Sequence, residues 1–299
     1  MTVSFNGDWT DFGTQFNLAG PYNLTYANGV EVEWVGGLGP NHFHMVQEHG
    51  PGESLSVVQD PTSPRGTAVL QVKVQPGDSC GYSGERAEVS DMIGANGKDF
   101  PVTKASGHEF YACSVKLDAN WTPPNTQWRW GIFLQLHCPN QNGISPAFAM
   151  SVMDDFHVST YAGDVAPVKG VTPPASQLPF SNGSLRPGQW VQFMIEALWS
   201  YDSSGFLKVY RKDVGDTAWT LVMSQTGKPT LQYNSTIAGS QNADPAKGAT
   251  FLHYWKTGYY RSETPGVTSQ LTLGPIVRGT TFESVALAAF SKLALPMVI

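Results

Sequence analysis

The sequence predicts an all-β protein: a single β-jelly-roll, or concanavalin-like sandwich, of two antiparallel sheets with long loops. Three observations carry this expectation. Apolar and polar residues alternate with a period of two over many short stretches, the spacing at which a strand shows one face to a core. The 31 Gly and 21 Pro are scattered between those stretches, as turns between strands require. No heptad, internal repeat or low-complexity tract interrupts the pattern. With no break in composition, residues 1–299 read as one domain, its motif-bearing part spanning about 80–285.

Taken in order, residues 1–30 alternate loosely and read as an edge strand or an extended lead-in. Strands follow at 31–36 and 67–74, where the alternation is regular. The Pro- and Gly-punctuated stretch from Gly50 to Gly66 between them reads as a long loop. Further strands fit 108–117, 128–137, 147–153, 189–199 and 206–212, the last two joined by the turn-rich Ser200–Gly205. Residues 163–188 and 224–250 are rich in Gly, Pro, Ser, Thr, Asn and Gln and read as long loops. Strands resume at 251–262 and 269–278, and the Ala/Leu-rich Val285–Phe290 reads as a short helix or a final strand.

Composition sets outer limits. Fifteen Phe, 11 Tyr and 9 Trp supply a large core, and only 14% of residues are charged, which disfavours disorder. A net charge of −6 argues against a nucleic-acid partner held by phosphate neutralisation. It leaves an anionic substrate open, because a few focused cations outweigh the global sign within a cleft. No run approaches the ~20 apolar residues of a membrane span, and Met1–Trp9 shows no basic or long apolar segment of a signal peptide. Cys80, Cys113 and Cys138 cannot all pair within one chain and show no metal spacing. One disulfide with a free thiol, or three buried thiols, both fit.

Three strings put chemically capable side chains on alternate positions of strand-like runs. In Gly84-Glu85-Arg86-Ala87-Glu88-Val89, Arg86 and Glu88 share a face. Gln135 and His137 do so in Leu134-Gln135-Leu136-His137, and Tyr254, Lys256 and Tyr260 in Tyr254-Trp255-Lys256-Thr257-Gly258-Tyr259-Tyr260-Arg261. Each pair taken alone reads equally well as a cross-strand ion pair or a polar pair at a sheet surface. Together they read as the polar floor of a ligand site.

Those strings, in that order, resemble the jelly-roll polysaccharide lyases of the heparin lyase I-like group, with glucuronan and alginate lyases as cousins. The hairpin from Gly188-Gln189-Trp190 through Trp199-Ser200 to Gly205–Tyr210 is similar to that group's back strands. The resemblance covers about residues 80–262, and it implies β-elimination on a 4-linked uronic-acid polysaccharide, an acidic partner, by a secreted monomer. The reaction removes the weakly acidic C5 proton, so the substrate carboxylate must be neutralised, with a base at C5 and an acid at the leaving oxygen. Gln135 and Arg86 suit the carboxylate, by amide donation and a two-pronged guanidinium. His137, with an ordinary pKa of about 6.5, is the natural base. Tyr260 serves the family as acid, and as base for some C5 configurations; Lys256 and Arg86 supply positive charge beside it. Glu88, Tyr254, Arg261, His42 and His44 are the expected substrate-binding neighbours, Glu88 chiefly by orienting Arg86. No cofactor is required by this chemistry, while a structural Ca²⁺ is a family possibility with no defined loop here.

Rival readings stay on the table. A non-catalytic carbohydrate-binding sandwich or a virion attachment protein shares the fold but needs no convergence of Gln, His, Lys and Tyr. A glycoside hydrolase needs two facing carboxyl groups, and Glu85 and Glu88, three apart, face opposite sides. His42 and His44 in Asn41-His42-Phe43-His44 form half of a metal site at most; no third ligand is evident and no metal is assigned. His253 reads as structural, Asp154-Asp155 as a strand end ahead of a Ca²⁺ ligand, and Trp128 and Trp130, which share a face, as core between the sheets ahead of a stacking surface for sugar rings.

Overall fold

The computed structural model describes residues 3–7, 25–27, 31–35, 42–48, 54–65, 68–78, 84–93, 101–123, 130–138, 145–165, 176–179, 185–235, 242–244, 248–250, 252–263 and 266–290; of these, 3–7, 25–27, 31–35, 42–48, 91–93, 176–179, 242–244 and 248–250 are described as backbone.

Two large antiparallel sheets face each other. The front sheet runs, edge to edge, Ser176–Pro179, Phe156–Thr160, Phe148–Val152, Gly131–His137, Tyr254–Arg261, Glu85–Ile93, His42–Glu48, Glu31–Val35 and Thr25–Ala27. The back sheet runs Thr220–Thr226, Phe206–Asp213, Trp190–Leu198, His108–Leu117, Ser269–Leu273, Ala68–Val74 and Leu55–Gln59. Ile276–Gly279 also pairs with the His108 strand, and Val3–Gly7 with Ile276–Gly279. This arrangement is the sandwich that the alternating pattern predicts.

Alternation explains what lies between the sheets. On the front sheet Ala87, Val89, Leu134, Leu136, Trp255 and Tyr259 point inward; on the back sheet Leu70, Val72, Tyr111, Val115, Phe193 and Ile195 meet them, all buried in one cluster. The Trp255 ring lies 4.7 Å from Tyr111 and 5.8 Å from Phe148, so the central front strand is anchored by its aromatic inner face. Burial of these apolar faces fixes the register, and a one-residue slip would turn every site side chain inward.

The chain's C-terminal described segment is a helix, Phe282–Phe290, and not a strand. Thr281 accepts the Ser284 N–H at its start, and Val285, Ala288 and Ala289 bury against Phe110, Ala112 and Met194 on the outer face of the back sheet. The stretch read as a loop from Gly50 to Gly66 contains the edge strand Leu55–Gln59, which exists by pairing with Ala68–Val74. The expected strand 269–278 is two strands, broken at Gly274-Pro275 because proline has no N–H to donate. Phe156–Thr160 and Thr220–Thr226 are strands beyond those expected, and short pieces at Gly163–Asp164 and Gln232–Asn234 join a small third sheet with Gly248–Thr250 and Asn242–Asp244. Cys113 and Cys138 are buried free thiols, both pushed up to about 12 by burial; Cys80 lies outside the described residues.

Candidate functional site

The three motif-bearing strands are neighbours at the middle of the front sheet. Tyr254–Arg261 is the central strand, with Gly131–His137 on one side and Glu85–Ile93 on the other. Register sets Tyr260 opposite Arg86, Gly258 opposite Glu88, and Lys256 between Ser90 and Gln135. Tyr254 stands opposite His137. The outer face of three central strands therefore gathers Arg86, Glu88, Gln135, His137, Tyr254, Lys256 and Tyr260.

Glycine makes this close pairing possible. Gly258 has φ +148°, and a Cβ there would sit 2.6 Å from Glu88 Cα, so no other residue fits without moving the neighbouring strand. It belongs to a bulge in which Gly258 and Tyr259 face Phe133 alone on the partner strand.

Glu88 is the hub of the floor. Its carboxylate is 1% exposed and receives Gln135 Nε2 at 2.5 Å, with Lys256 Nζ at 3.1 Å and Arg86 Nη1 at 3.7 Å. Burial alone would push this carboxyl up; the charges of Lys256 and Arg86 and the Gln135 hydrogen bond outweigh it and hold it below its ordinary value. Arg86 and Lys256 are each 6% exposed and Gln135 is 2% exposed, so this is no solvated ion pair on an open surface. Lys256 and Arg86 both meet this one carboxylate, so removing it would break two buried ion pairs at once.

His137 lies at the end of this row, half-buried. Its Nδ1 lies 2.7 Å from the carbonyl oxygen of Cys138, which can only accept, so the proton sits on Nδ1 and the Nε2 lone pair is free for chemistry. Burial and the positive charge of Lys256 lower its pKa, against the opposing pull of the Cys138 carbonyl and Glu88. The Tyr254 hydroxyl stands 3.4 Å from the same Nδ1. Tyr260 is half-buried at the other end, with the Arg86 guanidinium carbon 3.7 Å from its ring centroid and the Trp130 ring edge-on at 4.2 Å.

Arg261 departs from expectation. It points to the opposite face, is 0% exposed, and is consumed by Glu85 at 2.7 Å, Ser269 Oγ at 2.7 Å and the Val267 carbonyl at 2.6 Å. It ties the front sheet to the back one and has no access to a substrate. Glu88 is equally enclosed, so it orients its three partners and does not itself touch a sugar. His42 and His44 stand on the strand His42–Glu48, whose side chains lie outside the described residues; the register partner of Glu88 there is Gln47. Trp128 is likewise outside them.

Trp130, for which the sequence favours the core over a sugar-facing position, stands edge-on to Tyr260 beside the site. Its position immediately before the His137 strand, opposite the end of the Tyr260 strand, was the available signal. His253 is structural, fully buried with Nε2 accepting the Gln232 N–H at 3.0 Å. Asp154 and Asp155 form the turn between two front strands. Among the described residues no three His, Cys, Asp or Glu gather as a metal site. A cavity of about 200 Å³, lined by Asp118, Asn120, Trp121, Thr122, Thr268 and Gln270, shares no residue with the floor.

The sequence profile of the family described as "Polysaccharide lyase" matches residues 38–274, a span that contains all three strands. The chain belongs to the polysaccharide lyase family. Such enzymes cut uronic-acid polysaccharides by β-elimination. In fold the lyase is similar to the endo-β-1,4-glucuronan lyase of the fungus Trichoderma reesei, at 15% identity over 78% of this chain and 89% of that one, with a TM-score of 0.55. A looser likeness is to the alginate lyase of Aplysia kurodai, at 10% identity over 77% and 88%, with a TM-score of 0.49. No curated protein matches the lyase in sequence.

Proposed function

We propose that this lyase cleaves a non-sulfated, 4-linked uronan, leaving an unsaturated uronate at the new non-reducing end. The observation that carries the reading is the enclosed floor on which Lys256, Arg86 and Gln135 converge, flanked by a neutral His137 and by Tyr260. Those cations and the amide donor suit a uronate carboxylate. Gln135 has a second amide hydrogen beyond the one given to Glu88, and with Arg86 it holds the carboxylate and stabilises the enolate-like charge that develops there. His137 Nε2 takes the C5 proton. The electron pair forms the C4–C5 double bond, the C4–O4 bond breaks, and the Tyr260 hydroxyl gives its proton to the departing oxygen. Water returns a proton to Tyr260 and removes one from His137. Lys256 holds Glu88 and keeps His137 neutral.

A heparin-like polymer calls for a broad basic rim, and 18 Lys+Arg against 24 Asp+Glu does not favour one. The order of the motifs supports membership of the heparin lyase I-like group at the level of fold and chemistry, with a glucuronan-type substrate. The likeness to the Trichoderma enzyme, whose substrate is glucuronan, points the same way. We place the enzyme outside the cell, as a single-domain monomer, where such polymers lie; no helix among the described residues is long and apolar enough to cross a membrane. A virion-borne lyase is the alternative setting for the same chemistry. No cofactor enters the bond-breaking steps.

The test is absorbance near 232 nm on a panel of uronans, where only the conjugated product absorbs. We expect a rise on glucuronan that is lost in Tyr260→Phe, and a fall of about 10²–10³-fold in Gln135→Ala. A flat trace on every uronan, with binding retained, would replace this reading with a carbohydrate-binding protein.

A further inference from the structure

We propose that Trp130 is a positioning residue for Tyr260: its indole, with the Arg86 guanidinium and the bare backbone at Gly84, fixes the phenol in the orientation from which it reaches the glycosidic oxygen. This rests on the lyase reading above.

Three contacts converge on the Tyr260 ring. The Trp130 ring stands edge-to-face at 71° with centroids 4.2 Å apart, closer than the 4.5–7 Å usual for such pairs, so the two rings are in tight contact. The Arg86 guanidinium carbon lies over the ring at 3.7 Å. The third contact is the chain at Gly84, with φ +84°: a Cβ there would sit 2.7 Å from Trp130 Cη2 and 2.9 Å from Tyr260 Cε2. Cε2 adjoins the carbon that carries the hydroxyl, so the backbone at Gly84 bounds the reacting end of the ring.

Trp130 is itself fixed to the strand it serves. Its carbonyl accepts the Ser262 N–H at 3.0 Å, and the residue after it, Gly131, pairs with Arg261. The indole therefore moves with the end of the Tyr260 strand. The contrast with Tyr259 shows why a clamp is needed. Tyr259 is 0% exposed and held by the core, whereas Tyr260 is half-buried and its ring faces the substrate side. A phenol that must donate at one oxygen gains from restraint, since misplacement by about 1 Å costs on the order of 10²-fold in rate.

The experiment compares kcat and KM for Trp130→Leu and Trp130→Phe in the full chain, by absorbance at 232 nm on the uronan that the wild type cleaves. Melting temperature and circular dichroism are recorded alongside. We expect Trp130→Leu to lower kcat by about 10- to 100-fold while KM stays within about threefold. Trp130→Phe, which restores an aromatic edge, returns most of kcat. Trp130→Met, which fills the volume without a rigid ring, carries the same test if the leucine variant does not fold. A raised KM with unchanged kcat would make Trp130 a sugar platform and overturn the proposal. Equal losses in the Leu and Phe variants, tracking a fall in melting temperature, would overturn it in favour of a purely structural role. A wild type that gives no product on any uronan overturns the lyase reading before any variant is made, so the two failures are distinct.

Discussion

Replacing Glu88 by glutamine removes one charge and almost no volume, and it isolates what holds the floor together. In the wild type the carboxylate meets Lys256 at 3.1 Å, Arg86 at 3.7 Å and Gln135 at 2.5 Å, all nearly out of solvent. Glu88→Gln removes the carboxylate that Lys256 and Arg86 both meet. Breaking a buried ion pair of this kind costs about 3–5 kcal/mol, which for a chain of this size lowers the melting temperature by about 5–8 °C. The pH dependence of that difference has a defined sign. The folded pKa of Glu88 lies below its model-compound value of 4.5, so its contribution is full above about pH 4.5 and is lost as pH falls through the folded value. Thermal melts of both proteins between pH 3 and 8 should therefore converge at the acid end. A second readout is independent of stability. Glu88 raises the His137 pKa, so its loss moves the acid limb of kcat/KM to lower pH. Adding uronan should stabilise Glu88→Gln more than the wild type, because the substrate carboxylate replaces the charge that the substitution removes. Melting temperatures within 1 °C of each other at pH 7 would refute the account of Glu88 as the hub.

Two further outcomes follow from the same geometry. Lys256→Met removes a positive charge that, after burial, is the main cause of the lowered His137 pKa. The acid limb of kcat/KM in the wild type should lie below 6.5 and shift upward in this variant; a limb that stays in place would remove His137 from the role of base. Arg261→Met deletes a guanidinium buried against Glu85, Ser269 and Val267, and should cost about 3–5 kcal/mol in stability while KM on the uronan stays unchanged. A rise in KM with the melting temperature intact would return Arg261 to the substrate.

The parts of the site that were legible in the sequence are those where period-two alternation survives into regular pairing. Arg86 and Glu88, Gln135 and His137, and Lys256 and Tyr260 each occupy alternate positions, and the registers Arg86 to Tyr260 and Gln135 to Lys256 then bring the three pairs together. Arg261 follows the same rule: one residue beyond Tyr260, it falls on the inner face, and alternation alone would have excluded it from the substrate. What stayed hidden depends on contacts across the sheet. The place of Trp130 is set by Gly84, 46 residues earlier, and by Tyr260, 130 residues later. The Gly258 bulge looks like ordinary strand until Glu88 lies against it. Leu55–Gln59 is a strand only because Ala68–Val74 offers it an edge.

That division has a physical reason that bears on catalysis. A charged floor on the outer face of a sheet's central strands is destabilising unless its groups are paired, and here Glu88 is the carboxylate that Lys256 and Arg86 share. The inner faces of the same strands carry Trp255, Tyr259, Ala87 and Val89, all buried to 1% or less, so the core supplies the stability that the floor does not. On the proposed reading, the same cations gain most as charge moves onto the substrate carboxylate during proton abstraction. The alternation that puts the aromatic core and the charged floor on opposite sides of one strand is thus what lets the same eight residues, Tyr254–Arg261, hold the fold and carry the chemistry.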